Sequence, residues 1–348
     1  MERFLKILEE LLQRLLEIIL KPKDLLDDKE SNSVKETLVK IFDALEKMVD
    51  KVVPGGLAKS YENGLKQAVE DLKATGMNKL VITGVSAFIH KEAVSAINDD
   101  TILDLKAAIR TAKENAILSI DNTLAEVKED IKNGVISGET RKIVSQRVAS
   151  AFAKKGLTSF VTKDGKNLPL DFYARTVVKT KTRQAHTTGA VNRYIENDVH
   201  LVKIDEHHPT CHVCARYQGL VVSLTGNQDG FPNVKEVPLP PYHPNCEHTI
   251  RPFVIEFKNQ EEIRAERDRW ERYDPEKDIR SKAQQKAYEK EQQIRRVANQ
   301  EKKQYAKLRA ALGDKAPKTV GTYRRMKRKN DDKWKKLQSE YRSAVKSM

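Results

Sequence analysis

Apolar residues recur at spacings of three and four through most of the first half of the chain. Leu5, Leu8, Leu12, Leu15 and Ile19 form one such series and Pro22 closes it, which predicts an amphipathic helix over residues 4–20. Ser33-Val34-Lys35-Glu36 fits a capping box and predicts a second helix start. Leu38, Ile41, Phe42, Leu45, Met48 and Val49 line its stripe until Pro54-Gly55-Gly56 stops it. A third helix is expected from about Leu57 to Thr75, ended by Gly76. Another follows Asp100-Thr101, with Leu103, Leu105, Ile109, Ala112, Ala116 and Ile117 directed to a core. It finishes at Ile131-Lys132-Asn133-Gly134, where glycine marks the stop. Ser137 and Gly138 open a short helix through Ala153.

The pattern changes near Gly156. Ser159-Phe160-Val161-Thr162 and Leu168-Pro169-Leu170 flank an Asp164-Gly165 pair, which predicts a hairpin. A polar helix is expected over Asp171–Glu196. His200-Leu201-Val202-Lys203-Ile204 and Gly219-Leu220-Val221-Val222-Ser223-Leu224 then read as strands. Beyond Pro252-Phe253-Val254 the chain turns to Glu, Lys, Arg, Gln and Ala with hardly an apolar stripe, and the helical pattern breaks between Gly313 and Gly321 at Pro317. The expected fold class is therefore α+β. Residues 1–150 read as a helical assembly domain, 151–257 as a small α+β core and 258–348 as a charged helical tail.

Charge sharpens the division. The 348 residues carry a net charge of +14. From Lys258 onward there are 28 Lys/Arg against 15 Asp/Glu, so +13 of that total lies in the tail. Such asymmetry points to a polyanion, most simply nucleic acid bound without base readout. The candidate contacts are Arg324, Arg325, Lys327, Arg328, Lys329, Lys333, Lys335 and Lys336, with Tyr323 and Trp334 interleaved as candidates for stacking on single strands. The bland alternative is a solvated segment whose charge confers solubility. No run of eighteen apolar residues exists, and Met1–Leu20 carries charges throughout, so neither a membrane span nor a signal peptide is expected. The chain reads as made in a cytoplasm. Its first amphipathic stripe serves either its own core or docking to another protein.

Three cysteines, Cys211, Cys214 and Cys246, fall in one short window. An odd, clustered set in a reducing compartment points to metal rather than disulfides. With His243 the spacing is C-x2-C-x28-H-x2-C, two proline-flanked turns each offering two ligands. That set closes a tetrahedral shell around Zn²⁺ and leaves no open position, so the site reads as structural. His208, His212 and His248 stand as substitutes for His243. The alternative is three small buried hydrophobes, since free cysteine is commonly interior. A zinc deaminase is disfavoured, because no H-x-E precedes the Pro209-Thr210-Cys211 run. Asp205, Glu206, His207 and His208 suggest a hydrolytic metal site, but adjacent residues at a strand end diverge. A zinc-dependent, nuclease-like enzyme using His207, His208 and His243 remains the second function class.

The run His208 to Cys214, Gln218 to Leu224, Gly226, Gly230-Phe231-Pro232 and His243 to His248, preceded by Asp198 to Val202 and by Tyr173-Ala174-Arg175-Thr176, resembles the phage minor capsid protein family and the related Mu F-like head-morphogenesis domain. The likeness spans roughly residues 120–257, and the charged tail is typical too. It departs at Glu247-His248, where Mu F-like members carry Arg-Cys. The resemblance implies a non-enzymatic, low-copy component of the immature phage head. Such proteins associate with the portal and with capsid or scaffold proteins, and stay in the virion beside packaged DNA. No catalytic residues are implied.

Overall fold

The computed structural model describes residues 1–22, 24–77, 79–80, 88–132, 141–155, 159–161 and 167–346. They form a mostly helical chain with two small antiparallel sheets, the α+β composition expected. Two compact units divide the chain without following its order. One comprises Met1, Asp50–Asp104 and Thr176–Gln292; the other comprises Glu2–Val49, Leu105–Arg175 and Gln293–Met348. Helices α2 (Asp28–Ala74), α3 (Phe88–Lys132), α5 (Leu170–Glu196) and α8 (Lys282–Leu312) contribute residues to both. No helix among the described residues is long and apolar enough to cross a membrane.

The first unit is built on a three-stranded antiparallel sheet of β3 (Leu201–Ile204), β4 (Val221–Ser223) and β5 (Ile250–Pro252), in the order β4-β3-β5. Val202 lies opposite both Val222 and Pro252, and Ile204 opposite Ile250. Alternation along each strand then separates two faces. Val202, Ile204, Val222 and Ile250 join Ala68 and Leu72 of α2 and Ala190 and Tyr194 of α5 in one buried cluster. Leu201 and Val221 turn the other way, to Phe231, Phe253 and Ile263 of α7 (Gln260–Glu271). Lys203 shares that second face and ends on Glu266 of α7, Nζ to Oε1 2.6 Å. Both β3 and β4 were legible in the sequence; β5 was not, because its three residues carry one buried apolar side chain.

Helices α2 and α5 meet where neither has a side chain to separate them. A Cβ on Gly64 would sit 2.0 Å from the carbonyl oxygen of His186, and one on Gly189 would sit 2.2 Å from that of Tyr61. Reciprocal glycines let the two backbones touch. A buried polar relay lies alongside. Asn192 Nδ2 donates to Tyr61 Oη (2.5 Å), and Tyr61 Oη lies 2.8 Å from His90 Nδ1. His90 Nε2 lies 2.7 Å from Glu196, which also accepts from Arg193 Nη1 at 2.8 Å. An amide nitrogen can only donate, so the Tyr61 proton points to Nδ1 and His90 carries its own proton on Nε2.

The second unit is a set of helical pairs. In α2 and α3, Lys128 pairs with Asp28, Lys35 with Asp121, Lys113 with Asp43, and Arg110 with Glu46. As one number rises the other falls in step, the signature of antiparallel helices. Exposed pairs of this kind contribute ~0–1 kcal/mol each, so they mark register more than they hold it. The apolar positions of the same stretches, Val34, Leu38, Phe42, Leu45 and Val49 of α2 and Leu105, Ala108, Ile109, Ala112, Ala116 and Ile120 of α3, are all buried. Helix α1 (Glu2–Leu20) buries Phe4, Leu8, Leu11, Leu15, Leu16 and Ile19, and it packs on α4 (Arg141–Lys155), which buries Val144, Val148 and Phe152. The first amphipathic stripe therefore serves the chain's own core. A two-stranded sheet, β1 (Ser159–Val161) with β2 (Asn167–Pro169), confirms the hairpin strands; the Asp164-Gly165 turn lies outside the described residues.

Three expectations are corrected here. The second and third helices are one, α2, which passes through Pro54. An interior proline costs about 3 kcal/mol, but Val49, Val53, Leu57, Tyr61 and Leu65 continue one buried stripe across it. The helix start is Asp27, whose carboxylate accepts from Glu30 N at 2.9 Å, and not Ser33. In α3, Thr101 is no start signal: its hydroxyl donates to the Ile97 carbonyl within the helix, and Leu103 is 68% exposed.

The tail is folded rather than extended. Residues of α8, α9 (Val320–Lys329) and α10 (Asp332–Lys346) surround a core of Tyr305, Leu308, Leu312, Ala316, Tyr323, Trp334 and Leu337. Thr319 caps α9, Asn330 ends it in the left-handed conformation at φ 50°, and Asp331 accepts from Trp334 N at 3.1 Å to start α10.

Candidate metal centre

Two tight turns in the first unit bring the cysteines together. The first is the single-turn helix α6 (His212–Ala215), in which Cys211 Sγ accepts from Cys214 N at 3.4 Å. The second is His243-Pro244-Asn245-Cys246, closed by Cys246 N donating to His243 O at 3.0 Å. Asn245 has φ 71°. Proline at the second position and a left-handed residue at the third make a type II turn, which explains Asn at that place.

The sulfurs converge. Cys211 Sγ lies 3.1 Å and Cys214 Sγ 2.9 Å from His243 Nε2, and Cys214 Sγ lies 3.8 Å from Cys246 Sγ. All three cysteines are buried, and Val213, Tyr242 and Tyr288 pack against them. His243 Nδ1 lies 2.6 Å from the Pro244 carbonyl, so it carries the proton there and turns Nε2 to the sulfurs. A fifth donor completes the group: His248, 4% exposed, sets Nδ1 3.7 Å from Cys246 Sγ. Its Nε2 is buried without a hydrogen-bond partner among the described residues.

These donors sit in two overlapping sets, Cys211–Cys214–His243 and Cys214–Cys246–His248, each compact enough to hold a metal ion. With Zn–S bonds near 2.3 Å, the edge of a tetrahedral site is about 3.8 Å between sulfurs and about 3.5 Å between sulfur and nitrogen. The observed spacing matches the first and is a few tenths of an ångström short of the second, so soft sulfur and imidazole donors fit zinc here. The electrostatics agree. Hydrogen bonding from Cys214 holds the Cys211 thiol down to about 3 and that of Cys246 to about 4, assisted by His243 and His248 respectively. Cys214 moves the other way because it is the shared donor, and the bond to Cys211 raises His243 to about 9. Cys211 and Cys246 are thus favoured as thiolates, the form that binds metal, while Cys214 is held as the thiol that donates to them.

Of the substitutes for His243, only His248 reaches the cysteines among the described residues. His212 is exposed on α6, and His208 lies 3.4 Å from Gln284. The strand-end residues diverge as expected. Asp205 pairs with Arg251 at 3.1 Å, Glu206 with Arg269 at 3.9 Å and His207 with Glu247 at 3.3 Å. His207, His208 and His243 therefore form no common site. The cover over the cysteines was missed by sequence reasoning, because it comes from the charged stretch beyond 258. Arg280 donates from Nη1 to the Thr210 carbonyl (3.0 Å), is forked onto Asp278, and lies over the ring of Tyr288. Nothing in the local pattern of that stretch ties it to residues seventy positions earlier.

In the tail the predicted cations separate into two groups. Arg324 and Lys327 turn inward to Glu301 of α8, at 3.0 and 3.4 Å. Arg325, Arg328, Lys329, Lys333, Lys335 and Lys336 are exposed. The stacking role expected of Tyr323 and Trp334 is overturned: they are 3% and 6% exposed and pack on each other in the core.

The fold and site define a helical α+β protein organised around a cysteine–histidine knuckle. The model of phage minor capsid protein 2 matches residues 28–336, most of the chain, and the protein belongs to that family. No curated protein and no solved structure matches it.

Proposed function

We propose that the protein is a non-enzymatic component of the phage head, assembled in the host cytoplasm and retained in the capsid interior beside portal, capsid and scaffold proteins. The observation that carries this reading is the family match from residue 28 to 336. Within it, the helices of residues 1–150 serve assembly, the core of 151–257 sets geometry, and the tail from 258 turns its exposed cations to packaged DNA. Cys211, Cys214, Cys246 and His243 hold one structural zinc ion, and His248 donates through Nδ1 to the Cys246 sulfur as an outer partner. The ion ties α6 to the turn before β5, adding to the packing of Val213 and Tyr242 a link that no disulfide supplies among the described residues. Four protein ligands leave no position for substrate, which favours a staple over a nuclease.

The test is quantitative mass spectrometry of procapsids and mature virions from a lysate carrying the gene. A few copies per particle, alongside portal and major capsid protein, are expected. Absence from both particles would remove the head-component reading. Chelator-sensitive plasmid cutting by the purified protein, abolished by His243→Ala, would put the enzyme class in its place.

A further inference from the structure

We infer that the exposed cations of α9 and α10 bind the backbone of double-stranded nucleic acid and not single strands. This rests on the proposed reading that the tail meets DNA, and it names which form. Single-strand binding without sequence preference combines a basic groove with aromatic faces on which bases stack. Here the aromatics of the basic segment are spent on the fold. Tyr323 and Trp334 are buried at 5.3 Å centroid separation, Tyr323 also packs on Tyr305, and Tyr341 lies against the same cluster. The Tyr305 hydroxyl donates to the Pro317 carbonyl (2.8 Å) and that of Tyr323 to Gln304 (3.2 Å), so hydrogen bonds at both ends hold these rings in place.

What remains outside is charge on rigid helices. Helix α9 contains no carboxylate, and Arg325, Arg328 and Lys329 share a face at spacings of three and four. On α10, Lys335, Arg342 and Lys346 line the side opposite Trp334 and Leu337, with Ser339 between them, and all four are exposed. Lys336 lies to one side of that line and Lys333 further round towards the buried edge, both exposed. From Pro317 to Lys346 there are eleven cations against three carboxylates, and one of the three, Asp331, caps α10. At 1.5 Å per residue α10 spans roughly 22 Å. A stiff row of that length faces a duplex, whose phosphates come about every 1.7 Å along the axis in fixed positions, better than a flexible strand that depends on stacking.

The experiment measures binding of the full chain to a 15-base-pair duplex and to a 30-nucleotide single strand, which carry equal phosphate, by fluorescence anisotropy from 50 to 300 mM salt. Polyglutamate of matched charge serves as the acidic-protein probe. The expected result is at least tenfold tighter binding to the duplex, a steep salt dependence, and no quenching of tryptophan fluorescence. Arg325→Ser/Arg328→Ser/Lys329→Ser should weaken duplex binding at least tenfold with an unchanged melting temperature, while Lys286→Ser/Lys290→Ser on α8 should not. Equal or tighter single-strand binding, or tryptophan quenching, would overturn the duplex assignment and leave the DNA reading standing. Binding to polyglutamate alone, or to none of the probes, would overturn both.

Discussion

The cysteine–histidine knuckle and the basic tail were the two chemically suggestive stretches of this sequence, and the structure treats them differently. At the knuckle, position follows from local turns. A one-turn helix and a type II turn set the donors within each pair locally, so spacing alone singled out Cys211, Cys214, His243 and Cys246, which the structure brings close together. In the tail, a residue's role depends on which side of the helix is buried. Arg324 and Arg325 are neighbours, yet one is ion-paired to Glu301 and the other faces solvent. Motifs set by turns survive reading from sequence; faces set by packing are read only as well as the apolar stripe is.

The strongest way to break the contrast is to remove what holds each region. If the knuckle holds zinc as proposed, a strong chelator is expected to destabilise the cysteine unit by several kcal/mol, given the large share that structural zinc contributes to small folds. At roughly 2–4 °C per kcal/mol, that is a fall in Tm of more than about 10 °C, read by calorimetry. An unchanged melting curve would mean that the cysteines are simply packed. Trp334→Ala should cost about 3–5 kcal/mol in the tail and lower its helical content, because it empties the centre of the α8–α10 core. Trp334→Phe should be milder, and if the two variants behave alike the tail core is not where its stability lies.

Gly189→Ala tests the helix contact beneath the sheet. The added methyl meets the Tyr61 carbonyl at 2.2 Å, so about 1–3 kcal/mol is expected from thermal or denaturant unfolding. No loss would show that α2 and α5 can move apart freely. The smallest effect on stability comes from the outer cations. Arg325→Ser, Arg328→Ser and Lys329→Ser should each stay within about 0.5 kcal/mol of the parent. If all three meet phosphates, they should reduce the slope of log affinity against log salt by about 2.7. A change in stability without a change in slope would place these residues in the fold rather than at a ligand.

The same contrast explains what the sequence revealed. Helix α1 and strands β3 and β4 were legible because their apolar patterns are strong and each is bounded by turn residues. Pro54 misled because the penalty of one proline is local, whereas the buried stripe from Val49 to Leu65 is spread over four helical turns. Strand β5 offers a single buried side chain, and only pairing with β3 makes it a strand. At the site, His248 was one histidine among several until burial singled it out. Arg280 and Tyr288 sit in a stretch with no apolar signature, so their contact with the knuckle was beyond any reading of spacing. Tyr323 and Trp334 carry the same lesson. Aromatics among lysines resemble a stacking platform until the helix is seen to fold them inward.

The most direct measurement on the central site is the zinc content of the purified full-length chain, by inductively coupled plasma mass spectrometry, beside Cys214→Ser and Cys246→Ser variants. One zinc per chain in the parent, lost in both variants together with a lowered Tm, is the predicted result. A parent chain that carries no zinc, takes none up after reduction, and melts at the same temperature as both variants would contradict a structural metal centre.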